Sequence, residues 1–231
     1  MEKVNDNMKL KHYIDKYNIN SFFLKDLTPY MELLSFNKNE YICKCNDTLK
    51  YFYFLVHGKI KVYLLLKNGK SLLLRFYKPL SVIGDIEFIN NNYAISNIQA
   101  LEETLFIGIP MNILRKLALD DTVFLKYIIN SLGCKLDKNS KASSINLLYP
   151  LENRLASYIL AISSTNDEYY DVSEISTYKL TEMADLLGTS YRHLLRTINK
   201  LCNENIIKKY KNSIVILNKK ELERLAGDIY E

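Results

Sequence analysis

The chain has 231 residues, 48% of them hydrophobic and 25% charged, with 31 Lys and Arg against 26 Asp and Glu for a net charge of +5. This length allows one large or two ordinary domains, each with its own core, and the composition is that of an ordinary globular protein. No apolar run approaches bilayer-spanning length, and the polar opening Met1–Asn7 is unlike a signal peptide, so the expected location is the cytoplasm, with no membrane partner.

The first half is rich in strand signals. Glu40–Cys43 is a short candidate, followed by the aromatic and β-branched run Tyr51–Val56, which ends at His57-Gly58. Lys59–Leu66 opens with the polar–apolar alternation of a half-buried strand, Asn68-Gly69 is a strong hairpin signal, and Ser71–Tyr77 returns as the partner. Asn97–Leu101 and Thr104–Ile109 complete the set. Short strands punctuated by turns indicate an antiparallel sandwich or barrel. Tyr51, Tyr53, Tyr63, Tyr77 and Tyr93 are expected to fill its core or rim rather than to line a ligand pocket.

Four cysteines, Cys43, Cys45, Cys134 and Cys202, are scattered, and His12, His57 and His193 are isolated. Cys43-x-Cys45 has no second Cys/His pair to complete a zinc site, so reduced structural thiols are expected, with no metal and no cofactor. Glycine is scarce, at seven residues, and no glycine-rich phosphate loop or catalytic motif is present, so the chain does not read as an enzyme.

Pro110 opens a helical region. Asp120 or Asp121 can cap a longer helix whose inner stripe includes Phe124, Leu125, Ile128, Leu132 and Leu136. That stripe either packs on the adjacent sheet or pairs in part with a second copy, as in a short coiled coil. The polar stretch Asp137–Ser144 marks the exposed end of the helix or a hinge. Pro150 begins another helix, with Leu151, Leu155, Ile159 and Ile162 on one side.

Leu180–Asn199 reads as two short helices around a glycine turn. Met183, Leu186 and Leu187 share one side of the first, Ala184 is small where the helices cross, and Gly188 suits a left-handed exit. Ser190 can cap the second helix. Leu194, Ile198 and Leu201 form its inner stripe, leaving Tyr191, Arg192, His193, Arg196 and Lys200 outward. A helix-turn-helix that seats its second helix in the DNA major groove divides its residues in this way. Residues 179–211 carry seven Lys and Arg against three Asp and Glu, leaving 24 against 23 elsewhere, so the excess positive charge sits where phosphate neutralisation requires it. Ile206–Leu217 then reads as two short strands around a turn at Asn212-Ser213, a wing whose Lys208, Lys209 and Lys211 would lie over flanking phosphates.

In order and spacing, Phe54–Tyr63, Ile83-Gly-Asp-Ile-Glu-Phe88, Glu152-Asn-Arg-Leu-Ala156 and Leu180–Leu201 resemble the cyclic AMP receptor/fumarate-nitrate regulator (CRP/FNR) family of bacterial transcription factors over nearly the full length. The resemblance implies an α+β chain: an N-terminal antiparallel β-barrel of the cyclic-nucleotide-binding jelly-roll type over 1–119, a long dimerisation helix and hinge over 120–144, and a C-terminal winged helix-turn-helix over 145–231. It implies a homodimer presenting two recognition helices to a pseudo-palindromic site on double-stranded DNA, with RNA polymerase as a further partner. The DNA-contacting residues expected on this basis are Thr189, Ser190, Tyr191, Arg192, His193, Arg196 and Lys200, joined by Lys208, Lys209 and Lys211 of the wing. Arg192 and Arg196 lie one turn apart and either can pair bidentately with guanine.

The sensor departs from the family pattern. Members that bind cyclic nucleotides use a Gly-Glu-Leu segment for ribose and an Arg-Ser pair for the cyclic phosphate. Here Gly84-Asp85-Ile86 approximates the first, while Ala94-Ile-Ser-Asn97 stands at the second without an arginine. A buried phosphate would lack its guanidinium, which argues against cyclic AMP or cyclic GMP bound in the usual way. Any effector pocket would involve Gly84, Asp85, Ile86, Ser96 and Asn97. The alternative input is a redox or metal signal sensed through Cys43 and Cys45.

Overall fold

A computed structural model describes residues 1–67, 69–90, 93–163, 174–176, 180–211 and 213–227, with the side chains of 141–147 and 174–176 outside the description. The chain divides into two compact units, Met1–Leu64 with Phe76–Asn139, and Leu65–Arg75 with Ser140–Glu231.

Along the chain, strand β1 (Glu2–Lys3) precedes helix α1 (Asn7–Lys16), which Asp6 caps by accepting from the Lys9 amide at 2.8 Å. Strands β2 (Glu32–Phe36), β3 (Tyr41–Cys43), β4 (Tyr51–His57), β5 (Ile60–Leu65), β6 (Ser71–Tyr77) and β7 (Ser81–Ile83) follow. After a short helix α2 (Asp85–Asn90) come β8 (Asn97–Ala100), β9 (Thr104–Pro110) and helices α3 (Met111–Ala118) and α4 (Thr122–Leu148). All six strands expected from the sequence are present to within a residue or two. The turn residue Asn68 lies outside the described residues.

The expected barrel-like domain is built as two antiparallel sheets that do not close into one continuous ladder. One has the order β1-β2-β9-β4-β7 and the other β3-β8-β5-β6. Three of the four edge strands, β1, β3 and β7, are only two or three residues long, too short to offer a ladder for closure. In β4, Phe52 through Val56 are all buried, because this strand is covered on both faces. It ends at Gly58, whose φ of +86° and whose missing Cβ, which would sit 2.6 Å from the Glu103 carbonyl, both require glycine.

The core of this unit is aromatic. Phe36, Phe52, Phe54, Phe88, Phe106 and Phe124 are essentially sealed from solvent, each contributing roughly 1.5–3 kcal/mol through burial. Phe124 of α4 stacks on Phe23 at 4.7 Å and Tyr127 on Phe22 at 4.2 Å, so the first turns of α4 are anchored in the core. Tyr53 is part of it, edge-on to Phe36 and Phe106, whereas Tyr93 is exposed. Asp121 is the cap: its Oδ1 accepts from the amides of Val123 and Phe124, both at 3.0 Å, and its Oδ2 from Leu24 at 2.7 Å. The helix runs through the polar Asp137–Ser144 stretch without a break, so the boundary expected at residue 145 falls inside it.

The second unit contains α5 (Leu151–Ile162), strand β10 (Glu174–Ser176), α6 (Leu180–Leu186), α7 (Tyr191–Asn203), β11 (Ile207–Lys209), β12 (Ser213–Ile216) and α8 (Lys219–Ala226). The strands form a small antiparallel sheet in the order β10-β12-β11. The wing expected at 206–217 is therefore β11 and β12, with Asn212 at its turn outside the described residues. Strand β10, which lacks an apolar pattern of its own, is the third member. No helix among the described residues is long and apolar enough to cross a membrane.

Candidate nucleic-acid interface

Helix α6 ends as its sequence requires. Gly188 has a φ of +62°, the Gly188 amide donates to the Asp185 carbonyl and the Thr189 amide to the Ala184 carbonyl, each at 2.9 Å. This paired reverse bonding terminates a helix through one left-handed residue. Ser190 opens α7 by accepting from the His193 amide at 3.2 Å, and Thr189 Oγ1 lies 3.3 Å from His193 Nδ1. Met183, Ala184, Leu186 and Leu187 on one side of the turn and Leu194, Ile198 and Leu201 on the other are all buried. The far end of α7 repeats the device with Asn205 at φ +56°: its amide bonds Cys202 and the Ile206 amide bonds Leu201, both at 3.0 Å. Both ends of α7 are thus fixed by local backbone chemistry.

Seating α7 in this way turns a defined face outward. Tyr191, Arg192, His193, Arg196 and Lys200 are exposed, as are Ser190, Lys208 and Lys211, while Thr189 and Lys209 are half-buried. Arg192, Arg196 and Lys200 recur every fourth residue, which places them on one stripe. In the wing, the Lys208 ammonium lies 5.4 Å from the Tyr210 ring centroid.

Helix α5 supports this face with residues whose roles were not legible in the sequence. An Arg154 Nη1 donates to the Leu187 carbonyl at the end of α6, and Asn153 Nδ2 donates to the Leu225 carbonyl of α8 at 2.8 Å. Glu152 forms an ion pair with Lys200, which also lies 4.0 Å from Glu204. A groove of about 400 Å³ lies between the start of α5 and α7, lined by Pro150, Leu151, Glu152, His193, Arg196, Thr197 and Lys200. These pairs are separated by 33 to 72 residues in sequence, so no local pattern announces them.

In the first unit, Asp85, Ser96 and Asn97 of the expected effector pocket bond to other groups of that unit. The Asp85 carboxylate accepts from Lys135 Nζ at 2.7 Å and from Ser131 Oγ at 3.1 Å, both on α4, and Lys135 also donates to the Val82 carbonyl at 3.0 Å. The Asn97 side-chain oxygen accepts from the Cys45 amide at 2.9 Å. Ser96 accepts at its carbonyl from the Cys43 thiol, Ile86 is half-buried, and Gly84 turns the chain from β7 into α2 at φ +101°. Burial, aided by the nearby charges of Glu87 and Asp47, pushes the Cys43 thiol up to about 12. A thiolate at Cys43 is therefore disfavoured, whereas the partly exposed Cys45 lies with its sulfur 3.7 Å from the Ile95 carbonyl.

A capped recognition helix with outward arginines beside a three-stranded wing defines a winged helix-turn-helix DNA-binding protein. Residues 33–121 match the cyclic nucleotide-binding domain family and residues 153–225 the Crp-like helix-turn-helix domain family. Regulatory protein YeiL of Escherichia coli O157:H7 is 33% identical over 204 residues, covering 88% of this chain and 90% of that protein. Among solved structures, a CRP-family transcriptional regulator of Thermus thermophilus aligns with a TM-score of 0.67 at 20% identity, over 86% of this chain and 98% of the other. FixK2 of Bradyrhizobium japonicum aligns with a TM-score of 0.61 at 18% identity, over 85% and 98%. The chain belongs to the CRP/FNR family of transcription regulators, which is not a family of enzymes.

Proposed function

We propose that the chain acts as a cytoplasmic homodimer that binds a pseudo-palindromic duplex in a sequence-specific manner through two copies of α7. The observation that carries this reading is the seating of α7: its inner stripe is buried, both its ends are fixed, and Arg192 and Arg196 project from its outer face. Dimerisation is supported by α4, where Leu125, Ile129, Leu132 and Leu136 recur at the four-three-four spacing of a coiled-coil seam. Ile129 is 67% and Leu136 69% exposed on this helix, while Phe124 and Ile128 face the core.

The sensor reading that follows is of an effector unlike a cyclic nucleotide, or of none. The internal lysine on Asp85 and the absence of an arginine from Ala94–Asn97 support it. Selection of bound duplexes from a random-sequence pool tests the proposal: an inverted repeat with two half-sites about one or more helical turns apart is expected. A pool that stays random after repeated rounds contradicts it.

A further inference from the structure

The stripe of cations on α7 is not uniform. Arg192 and Arg196 are exposed and make no ion pair among the described residues, whereas Lys200, one turn further on, is bonded to Glu152 of α5. The two side chains are 54% and 28% exposed, at the edge of the groove between α5 and α7, which Arg196 also lines. Glu152 sits in the first turn of α5, where the helix dipole stabilises a carboxylate. Its hydrogen bond and then its charge hold the Lys200 pKa above the ordinary value.

Resting on the DNA-binding reading above, we propose that Glu152 is a positioning residue that holds Lys200 until a phosphate in the groove displaces it, so that the Lys200 contact forms only on a duplex against which α7 is fully seated. The chemistry is an exchange of one anion for another on the same ammonium. A duplex held loosely meets Arg192 and Arg196 but finds Lys200 already neutralised, so it releases fewer counterions. A duplex on which α7 is fully seated brings a phosphate oxygen to Lys200 and takes the place of the carboxylate. The seated complex therefore bears the cost of breaking the Glu152–Lys200 pair, while a loosely held duplex leaves the pair intact and forgoes the Lys200 contact.

The test uses the full chain with two labelled duplexes, one selected from a random pool and one of mixed sequence, titrated over a range of salt. Glu152→Gln is expected to tighten binding of the selected duplex by roughly fivefold per protomer, the upper range for an exposed ion pair, and that of the mixed-sequence duplex by no more than this. A narrowed ratio between the two duplexes would overturn the exchange. For the mixed-sequence duplex, Glu152→Gln should also steepen the slope of log K against log salt by about one per protomer, a readout that a merely structural role for Glu152 would not move. Lys200→Met should weaken the selected duplex, and adding Glu152→Gln to it should change nothing further. Equal tightening by Glu152→Gln in the Lys200→Met background would overturn the inference, because the carboxylate would then act only as a nearby charge. So would wild-type binding by Lys200→Met, which leaves the reading of α7 intact. Absence of any preferred duplex for the wild-type chain would instead remove the reading on which the inference rests.

Discussion

The ammonium of Lys135 lies 2.7 Å from the carboxylate of Asp85, with the two side chains only 16% and 2% exposed. Ser131, one turn earlier on α4, donates to the same carboxylate, so two residues of the long helix grip the junction of β7 and α2. Removing one member of such a pair leaves the other charge in a poorly solvated site. Lys135→Met should therefore destabilise the protein by about 3 kcal/mol, with Asp85→Asn/Lys135→Met recovering part of the loss. Urea denaturation measures both, and a loss under about 1 kcal/mol for Lys135→Met would mean that the pair behaves as an exposed one.

Glu87 faces the same region from α2 and is almost wholly buried. Burial raises its carboxyl above the usual range, its own backbone amide opposes this, the charge of Asp85 adds to it and Lys135 offsets it. Because the folded state holds the proton more tightly than the unfolded state does, the stability tied to Glu87 is present in acid and is lost as pH rises through the folded value. Glu87→Gln should accordingly be more stable than wild type at neutral pH, with the difference closing below the ordinary carboxyl range. Denaturation curves at several pH values check this, and a gap that widens in acid would refute it.

The helix-turn-helix could be read from the sequence because its determinants are local: a left-handed glycine, a serine cap and apolar residues at helical spacing, all within twenty positions. The strands were legible for the same reason. Lys135 against Asp85, Glu152 against Lys200 and Arg154 against Leu187 were not, since each joins elements distant in sequence and involves polar residues with no periodic signature. Helix α4 illustrates both cases. Its stripe and its Asp121 cap follow from pattern, but its continuation through Asp137–Ser144 does not, because the Asp, Asn and Ser residues of that stretch favour caps and turns over a helix interior.

The cysteines differ in accessibility. Cys43 is buried with its thiol held protonated, whereas Cys134 is exposed on α4. Under native conditions at mildly alkaline pH, iodoacetamide should modify Cys134 first and Cys43 last, as followed by mass spectrometry of peptides. Rapid modification of Cys43 would revive a redox input through Cys43 and Cys45.

The α4 seam predicts the assembly. Ile129→Glu/Leu136→Glu places carboxylates at two exposed positions of the stripe, away from Phe124 and Ile128. The variant should fold but sediment as a monomer, and it should lose most of its affinity for a two-half-site duplex. Unchanged sedimentation would place the dimer interface elsewhere.

An α7 that reads bases and a wing that holds phosphates respond differently to substitution. Arg196→Ala and Lys208→Ala, compared by binding to the selected duplex and to its single-base variants, test this division most directly. Arg196→Ala should cost about 1–3 kcal/mol and abolish discrimination at particular base pairs, whereas Lys208→Ala should weaken all sequences alike and flatten the salt dependence. Uniform weakening by Arg196→Ala, with every base preference retained, would contradict this division and make Arg196 a phosphate anchor instead.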